Sequence, residues 1–182
     1  HIDGRIEPNP ESAPDADRFA VLPDYFAATR TPLLRGRLLG PGDRQHTERV
    51  AVVNRTLAAE LFPGTDPIGQ RLRLGPPAAE PRTIVGVVGD IRHHGLDVPP
   101  GYQVYVPHVQ WAWADTFMTL VIRAPGVPGA VAGSVRDIVR AIDAAQPVTN
   151  VEPYSTIVDR TTGTRRFAMT MKRPSRASGD SG

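Results

Sequence analysis

The sequence predicts a fold that mixes β-strands with α-helices rather than a helical bundle, and three observations point there. Gly (17) and Pro (19) together make up roughly one in five of the 182 residues, above the usual share of about 12%, which favours many short elements joined by turns. The run "TIVGVVGDI" (83–91) is short, almost continuously apolar and rich in β-branched residues, the pattern of a buried strand. The segment from Pro128 to Ala145 instead carries Val131, Val135, Ile138, Val139 and Ile142 on one helical stripe, with Arg136, Asp137, Arg140 and Asp143 opposite. The length suits one domain or two small subdomains, and 40% hydrophobic with 22% charged residues supports a packed core.

The remaining elements follow in order. Residues 1–17, rich in Pro, Glu and Asp, read as an extended opening. "RFAVL" (18–22) is a short strand. "PDYFAAT" (23–29) gives one or two helical turns, with Pro23 at a tolerated first position. "PLLRGRLLGPGD" (32–43) is strand or loop interrupted by glycines. "RVAVVN" (49–54) is a strand ending on Asn54, a good helix N-cap for "RTLAAELF" (55–62), in which Leu57 and Leu61 share a face. Pro63-Gly64 ends that helix and Asp66-Pro67 turns the chain. In the strand from Ile68 to Leu74, Leu72 and Leu74 lie on one face and Arg71 and Arg73 on the other. "YQVYVPH" (102–108), "FMTLVIRA" (117–124) and "PVTNVE" (147–152) read as further strands, and "STIVDRTTGTRRFAM" (155–169) as a weaker helix. "KRPSRASGDSG" (172–182) has the composition of a disordered tail.

Several chemistries can be weighed on residue types alone. "LFPGTDPIGQRLRLG" (61–75) is glycine-rich, as phosphate loops are, but it follows a helix and precedes a strand. A phosphate cradle needs the opposite order, so that a helix N-terminus faces the anion, and no G-x-x-x-x-G-K-[ST] occurs. A sharp corner is the reading. The glycines of "GVVGD" (86–90) mark a bulge or a close backbone approach. Asp90, His93 and His94 cluster in "DIRHHG", with His108 beyond. Adjacent histidines on an extended chain point apart, and no H-x-x-x-H spacing accompanies them. No G-x-S-x-G elbow places a nucleophile, and the serines fall in helix, cap or tail contexts. Arg165, Arg166, Lys172, Arg173 and Arg176 form a basic end that reads as a solvated tail. A net charge of +2 does not argue for a nucleic-acid partner. Trp111 and Trp113, in "QWAWAD" (110–115), are equally readable as a partner contact and as a cap on the edge of the core. The absence of cysteine excludes disulfides. No apolar run nears the roughly 20 residues that span a bilayer. With His1 at its start, the chain reads as a soluble piece of a longer one.

Taken in order, "FAVLPDYFAATRTPLLRGRLL", "VAVVNRTLAAELFPGTDPIGQRLRLG", "RTIVGVVGDIRHHGLDVPPGYQVYVP" and "TLVIRA" resemble the extracytoplasmic, MacB-like periplasmic core domain of FtsX/MacB-like ABC transporter permeases, most of all the duplicated orphan permeases of acidobacteria. The resemblance runs from about Ile2 to Met169. It implies an α+β fold, a mixed sheet with packed helices in two subdomains built from β-α-β pieces. It also implies a domain over residues 1–170 that is incomplete at its N-terminal side, with 171–182 as a tail. The activity implied is not enzymatic and uses no cofactor or metal. Such a domain sits on the outer, periplasmic side of a bacterial cell membrane and relays motion driven by a cytoplasmic ATPase subunit to substrates or to partner proteins, a second permease copy among them. Two other classes stay open beside it. One is a free-standing binding module, with a pocket lined by Trp111, Trp113 or Tyr105. The other is a metal-dependent enzyme using Asp90, His93 and His94.

Overall fold

A computed structural model describes residues 2, 14–76, 78–111, 118–124 and 128–158. They divide into two compact units, His1–His93 with Pro99–Arg123, and His94–Val98 with Ala124–Gly182. The chain therefore leaves the first unit after His93, returns at Pro99, and leaves again at Ala124.

The first unit is built on a six-stranded mixed sheet. Its strands are β1 (Asp17–Val21), β2 (Leu33–Gly36), β3 (Val50–Asn54), β4 (Arg71–Leu72), β5 (Arg82–Val88) and β6 (Gln103–Pro107), with helices α1 (Tyr25–Thr29) and α2 (Arg55–Leu61) between them. The spatial order is β1-β6-β3-β5-β2, and β4 pairs with the start of β5. Pairs β1/β6 and β3/β5 are parallel; β3/β6 and β2/β5 are antiparallel. This is α+β: β3, α2 and β5 make a β-α-β crossover, while hairpin-like antiparallel pairs extend the sheet on either side.

Both faces of the central strands are covered, which explains why β3 and β6 read as unbroken apolar runs rather than alternating ones. Ala51 and Val53 of β3 and Val104 and Val106 of β6 join Leu57 and Phe62 of the α2 segment, with Leu72, Ile84 and Val87, in one cluster. Val50, Val52, Val88 and Tyr105 point the other way and pack with Val21, Phe26 and Leu39. Each fully buried Val, Leu or Phe here contributes about 1.5–3 kcal/mol. The strand expected over 68–74 pairs only at Arg71–Leu72, although Leu72 and Leu74 do share the cluster-facing side.

The glycine-rich corner is a corner. Gly64 and Gly69 have φ of +71° and +83°, a region that costs a side-chain-bearing residue about 1–3 kcal/mol. Its backbone donors are used internally: Thr65 N–H bonds Phe62 O at 3.1 Å and Gly69 N–H bonds Ile84 O at 2.8 Å, while Ile68 N–H bonds Asp66 Oδ1 at 3.0 Å. No atom lies within 4 Å of a Cβ placed on Gly64. Gly64→Val is therefore expected to cost about 1–3 kcal/mol through backbone strain alone. A thermal-shift series with ATP, pyrophosphate and sulfate should show no saturable stabilisation before or after the change. A ligand-specific rise that the substitution removes would contradict the corner.

A second local device holds the loop after β2. Asp43, 8% exposed, receives Arg37 Nη1 at 2.9 Å, Arg37 Nη2 at 2.8 Å and the Gly40 N–H at 2.8 Å. Burial pushes the carboxyl up, but the bonds from Arg37 and Gly40 and the guanidinium charge outweigh it and hold the group below its ordinary value of 3.8. A carboxylate depressed in the folded state stabilises fully above its unfolded pKa, and the contribution disappears as pH falls through the lower folded value. Asp43→Asn should thus lower stability by about 1–2 kcal/mol at neutral pH. The gap to the parent should close below about pH 4, read from urea midpoints at a series of pH values. A gap that widens in acid would contradict this.

In the second unit, α3 (Pro128–Ile142) forms where the helical periodicity predicts it, and residues 154–158 are helical. Its apolar stripe is not buried as a whole: Val131, Val135 and Val139 are half-buried, whereas Ile138 is 61% and Ile142 81% exposed. Residues 118–123, at the end of the first unit, Ala124 after them, and residues 147–152 form no ladder, so the strands expected there are corrected. Strand propensity needs a neighbouring strand to satisfy its N–H and C=O groups, and among the described residues neither segment has one. Ile138→Ala should accordingly change stability by less than about 0.5 kcal/mol.

Candidate functional site

The chemically richest place in the first unit is a buried polar junction at the ends of β3, β5 and β6. Three features of the sequence build it. The apolar strand β3 ends on Asn54, β5 runs on into Gly89-Asp90, and β6 opens on Gln103. Asn54 is fully buried and Gln103 is 1% exposed; a polar side chain at such a depth is stable only if every donor and acceptor finds a partner.

They do. Asn54 Oδ1 accepts from Leu57 N–H at 3.1 Å, capping α2, and from Gln103 N–H at 3.0 Å. Its Nδ2 donates to Asp90 Oδ1 at 2.7 Å and to the Gly101 carbonyl at 2.9 Å. Asp90 Oδ1 also accepts the Thr56 N–H at 3.0 Å, and Oδ2 takes Arg55 Nε and Nη2 at 3.1 and 3.0 Å. Asp90 and Asn54 thus cap α2 jointly, and its first N–H groups already face a carboxylate and an amide. Gln103 reaches across to the backbone of Ile91: Nε2 donates to its carbonyl at 2.5 Å and Oε1 accepts its N–H at 3.3 Å. Tyr105 Oη donates to Gln103 Oε1 at 3.0 Å. Burial pushes the Tyr105 phenol far up, so it stays a protonated donor. With that single proton committed to Gln103, His93 Nε2, 3.3 Å from Tyr105 Oη, is the donor of its pair. The His93 ring stacks on Phe19 at a centroid distance of 4.1 Å.

The three residues that the sequence offers as an enzyme site are therefore spread over different tasks. Asp90 has both oxygens engaged at the start of α2, His93 is stacked against Phe19 beside Tyr105, and His94 opens the His94–Val98 segment of the second unit. Among the described residues no group of three His, Cys, Asp or Glu side chains converges as metal ligands do. Tyr105 is fully buried, and Trp111 is half-buried against the cluster below the sheet. Neither lines a groove of the first unit, about 370 Å³ in volume, whose walls include Leu57, Leu61, Phe62, Leu72, Tyr102 and Val104. Trp113 and the basic residues from Arg165 to Arg176 lie outside the described residues.

Residue types alone did not single out Gln103 or Gln110. Gln110, 3% exposed, sits in a 3-10 turn (His108–Gln110) after β6. Its Oε1 accepts from Val50 N–H at 3.1 Å and Arg82 Nη1 at 3.3 Å, and its Nε2 donates to the Arg44 and Glu48 carbonyls at 3.0 and 2.9 Å. Burial lowers the pKa of Arg82, whose second nitrogen bonds the Gln110 carbonyl at 2.9 Å. The available signal was a glutamine at each end of an otherwise apolar run, "QVYVPHVQ".

This arrangement is that of a scaffold: polar side chains spend their hydrogen bonds on backbone and on one another. Residues 9–151 match the MacB-like periplasmic core domain, and the chain belongs to that family. A search of the curated proteins finds no match to the chain. Among solved structures it is similar to the periplasmic region of MacB from Actinobacillus actinomycetemcomitans, with 16% identity and a TM-score of 0.55, covering 87% of this chain and 67% of that one. A partial similarity, with 21% identity, a TM-score of 0.36 and coverage of 46% and 38%, links it to the extracellular domain of the noncanonic ABC-type transporter YknZ from Gram-positive bacteria. At these identities the first likeness speaks for the fold alone and the second adds nothing to it. No helix among the described residues is long and apolar enough to cross a membrane.

Proposed function

We propose that this chain is the non-catalytic extracytoplasmic domain of an ABC transporter permease, relaying ATP-driven motion of the membrane part to a substrate or partner protein outside. The observation that carries this is the family match over residues 9–151. The polar junction supports it, since its titratable groups are engaged in holding the fold. The domain covers residues 1–170, with 171–182 as a tail. Its indirect partner is a cytoplasmic ABC ATPase, reached through the full-length permease of the duplicated orphan type. A second permease copy or a periplasmic protein is the contact outside, with Trp111 and Trp113 as the contact residues.

The sequence contains no cysteine, which makes the location directly testable. In intact bacteria expressing the full-length permease with Val109→Cys, an exposed position, a membrane-impermeant maleimide should label the protein. Labelling only after lysis would contradict the extracytoplasmic placement. Purified protein assayed against ATP, phosphate esters and carboxylic esters should show no turnover. Turnover lost in His93→Ala would contradict the non-catalytic reading.

A further inference from the structure

The chain enters the second unit at His94 and returns at Pro99, and both sides of that excursion are fastened at their roots. On the outgoing side Asp90 is held by Asn54, Arg55 and Thr56, Ile91 has its N–H and its carbonyl both bonded by Gln103, and His93 stacks on Phe19 with its Nε2 beside the Tyr105 hydroxyl. On the returning side the Gly101 carbonyl is bonded by the same Asn54 amide, and Gln103 is itself the first residue of β6.

We propose that Asn54 and Gln103 form a clamp that fixes the outgoing and returning strands of the 94–98 excursion to each other and to the centre of the sheet, so that displacement of the excursion is delivered to β3 and β6 rather than absorbed by a hinge. The geometry has the features such a clamp needs. The Asn54 amide bonds both Asp90 and the Gly101 carbonyl, and the Gln103 amide reaches Ile91 from the first residue of β6. Both side chains are shielded from water, which would otherwise compete for those bonds. They act at the ends of two strands whose side chains fill the core. Without these bonds each root would still be tied to the sheet, Gly89 through its N–H on the Pro32 carbonyl and Tyr102 through its carbonyl on the Asp17 N–H, but Asp90 would lose its link through Asn54 to Gly101 and Ile91 its link to the start of β6. The use of the clamp in transmission rests on the relay reading above; the clamping itself does not, and the experiment reads only the clamping.

Hydrogen exchange read by mass spectrometry on this chain tests it, comparing peptides that cover 91–101 with a peptide from β5. In Gln103→Met, which keeps the volume and removes the bonds to Ile91, the 91–101 amides should exchange about tenfold faster or more, with β5 unchanged. Gln103→Glu keeps the acceptor for Tyr105 and the Ile91 N–H but loses the donor to the Ile91 carbonyl, and should speed the same peptides by a smaller factor. It carries the test if Gln103→Met fails to fold. Unchanged exchange in 91–101 would overturn the clamp. So would an equal acceleration in β5, because Gln103 would then be supporting the sheet as a whole.

Discussion

Gly86→Ala is expected to cost about 3 kcal/mol, a large share of a domain's total stability. Gly86 sits in the middle of β5, where the parallel register with β3 shifts between Ala51 and Val52 and Val52 comes opposite the glycine. A Cβ there would stand 2.1 Å from the Arg37 carbonyl oxygen and 3.2 Å from Val52 Cγ2. The first of these is backbone that is itself held, since the Arg37 N–H bonds Val85 O at 2.8 Å. Relief would require the β2 segment to move away from β5, breaking that bond. Gly42→Ala is the matching control: nothing lies within 4 Å of its added Cβ, and it should change stability by less than about 0.5 kcal/mol. Urea denaturation of the two variants compares them directly. Equal midpoints would show that the close approach at Gly86 relaxes without cost.

Asn54→Ala is expected to be at least as severe, about 3–5 kcal/mol. It removes the cap on Leu57 N–H and the acceptor for Gln103 N–H, and it leaves the Gly101 carbonyl and Asp90 Oδ1 without the amide. The Leu57 and Gln103 groups are buried, and an unsatisfied buried donor costs more than the bond it lost was worth. Asn54→Asp separates capping from bridging. Its carboxylate still accepts from Leu57 and Gln103, but it faces the Gly101 carbonyl and the Asp90 carboxylate. It should recover part of the loss. A loss of less than about 1 kcal/mol in Asn54→Ala would mean that the junction contributes only an ordinary helix cap.

The parts of this fold that were legible in the sequence are those whose cause is local. β3, β5 and β6 are β-branched runs bounded by turn residues. Asn54 caps α2 because a short polar side chain before a run of good helix formers has little else to do. Gly64 and Gly69 take positive φ as the corner requires. The misses have a common origin in partners that local pattern does not name. The stripe of α3 announces a helix with one apolar face, yet Ile138 and Ile142 are exposed in the second unit. "FMTLVIRA" and "PVTNVE" have strand composition, but the described part of each forms no ladder. At the polar junction, Asn54 and Asp90 were each noticed for a local reason, as a cap and as a member of "DIRHHG". Their bond joins residues 36 positions apart, a relation that no spacing rule reaches. Gln103 passed unnoticed because a glutamine at the start of a strand is ordinary on a surface. Only its depth reveals a role.

On the function proposed above, this domain transmits motion and performs no chemistry of its own. The most direct test is to measure ATP hydrolysis and substrate movement together, in vesicles holding the full-length permease and its ATPase, with and without residues 9–151. The relay account predicts that hydrolysis persists in the shortened permease while substrate movement is lost. Substrate movement that continues at the parent rate without these residues would contradict it.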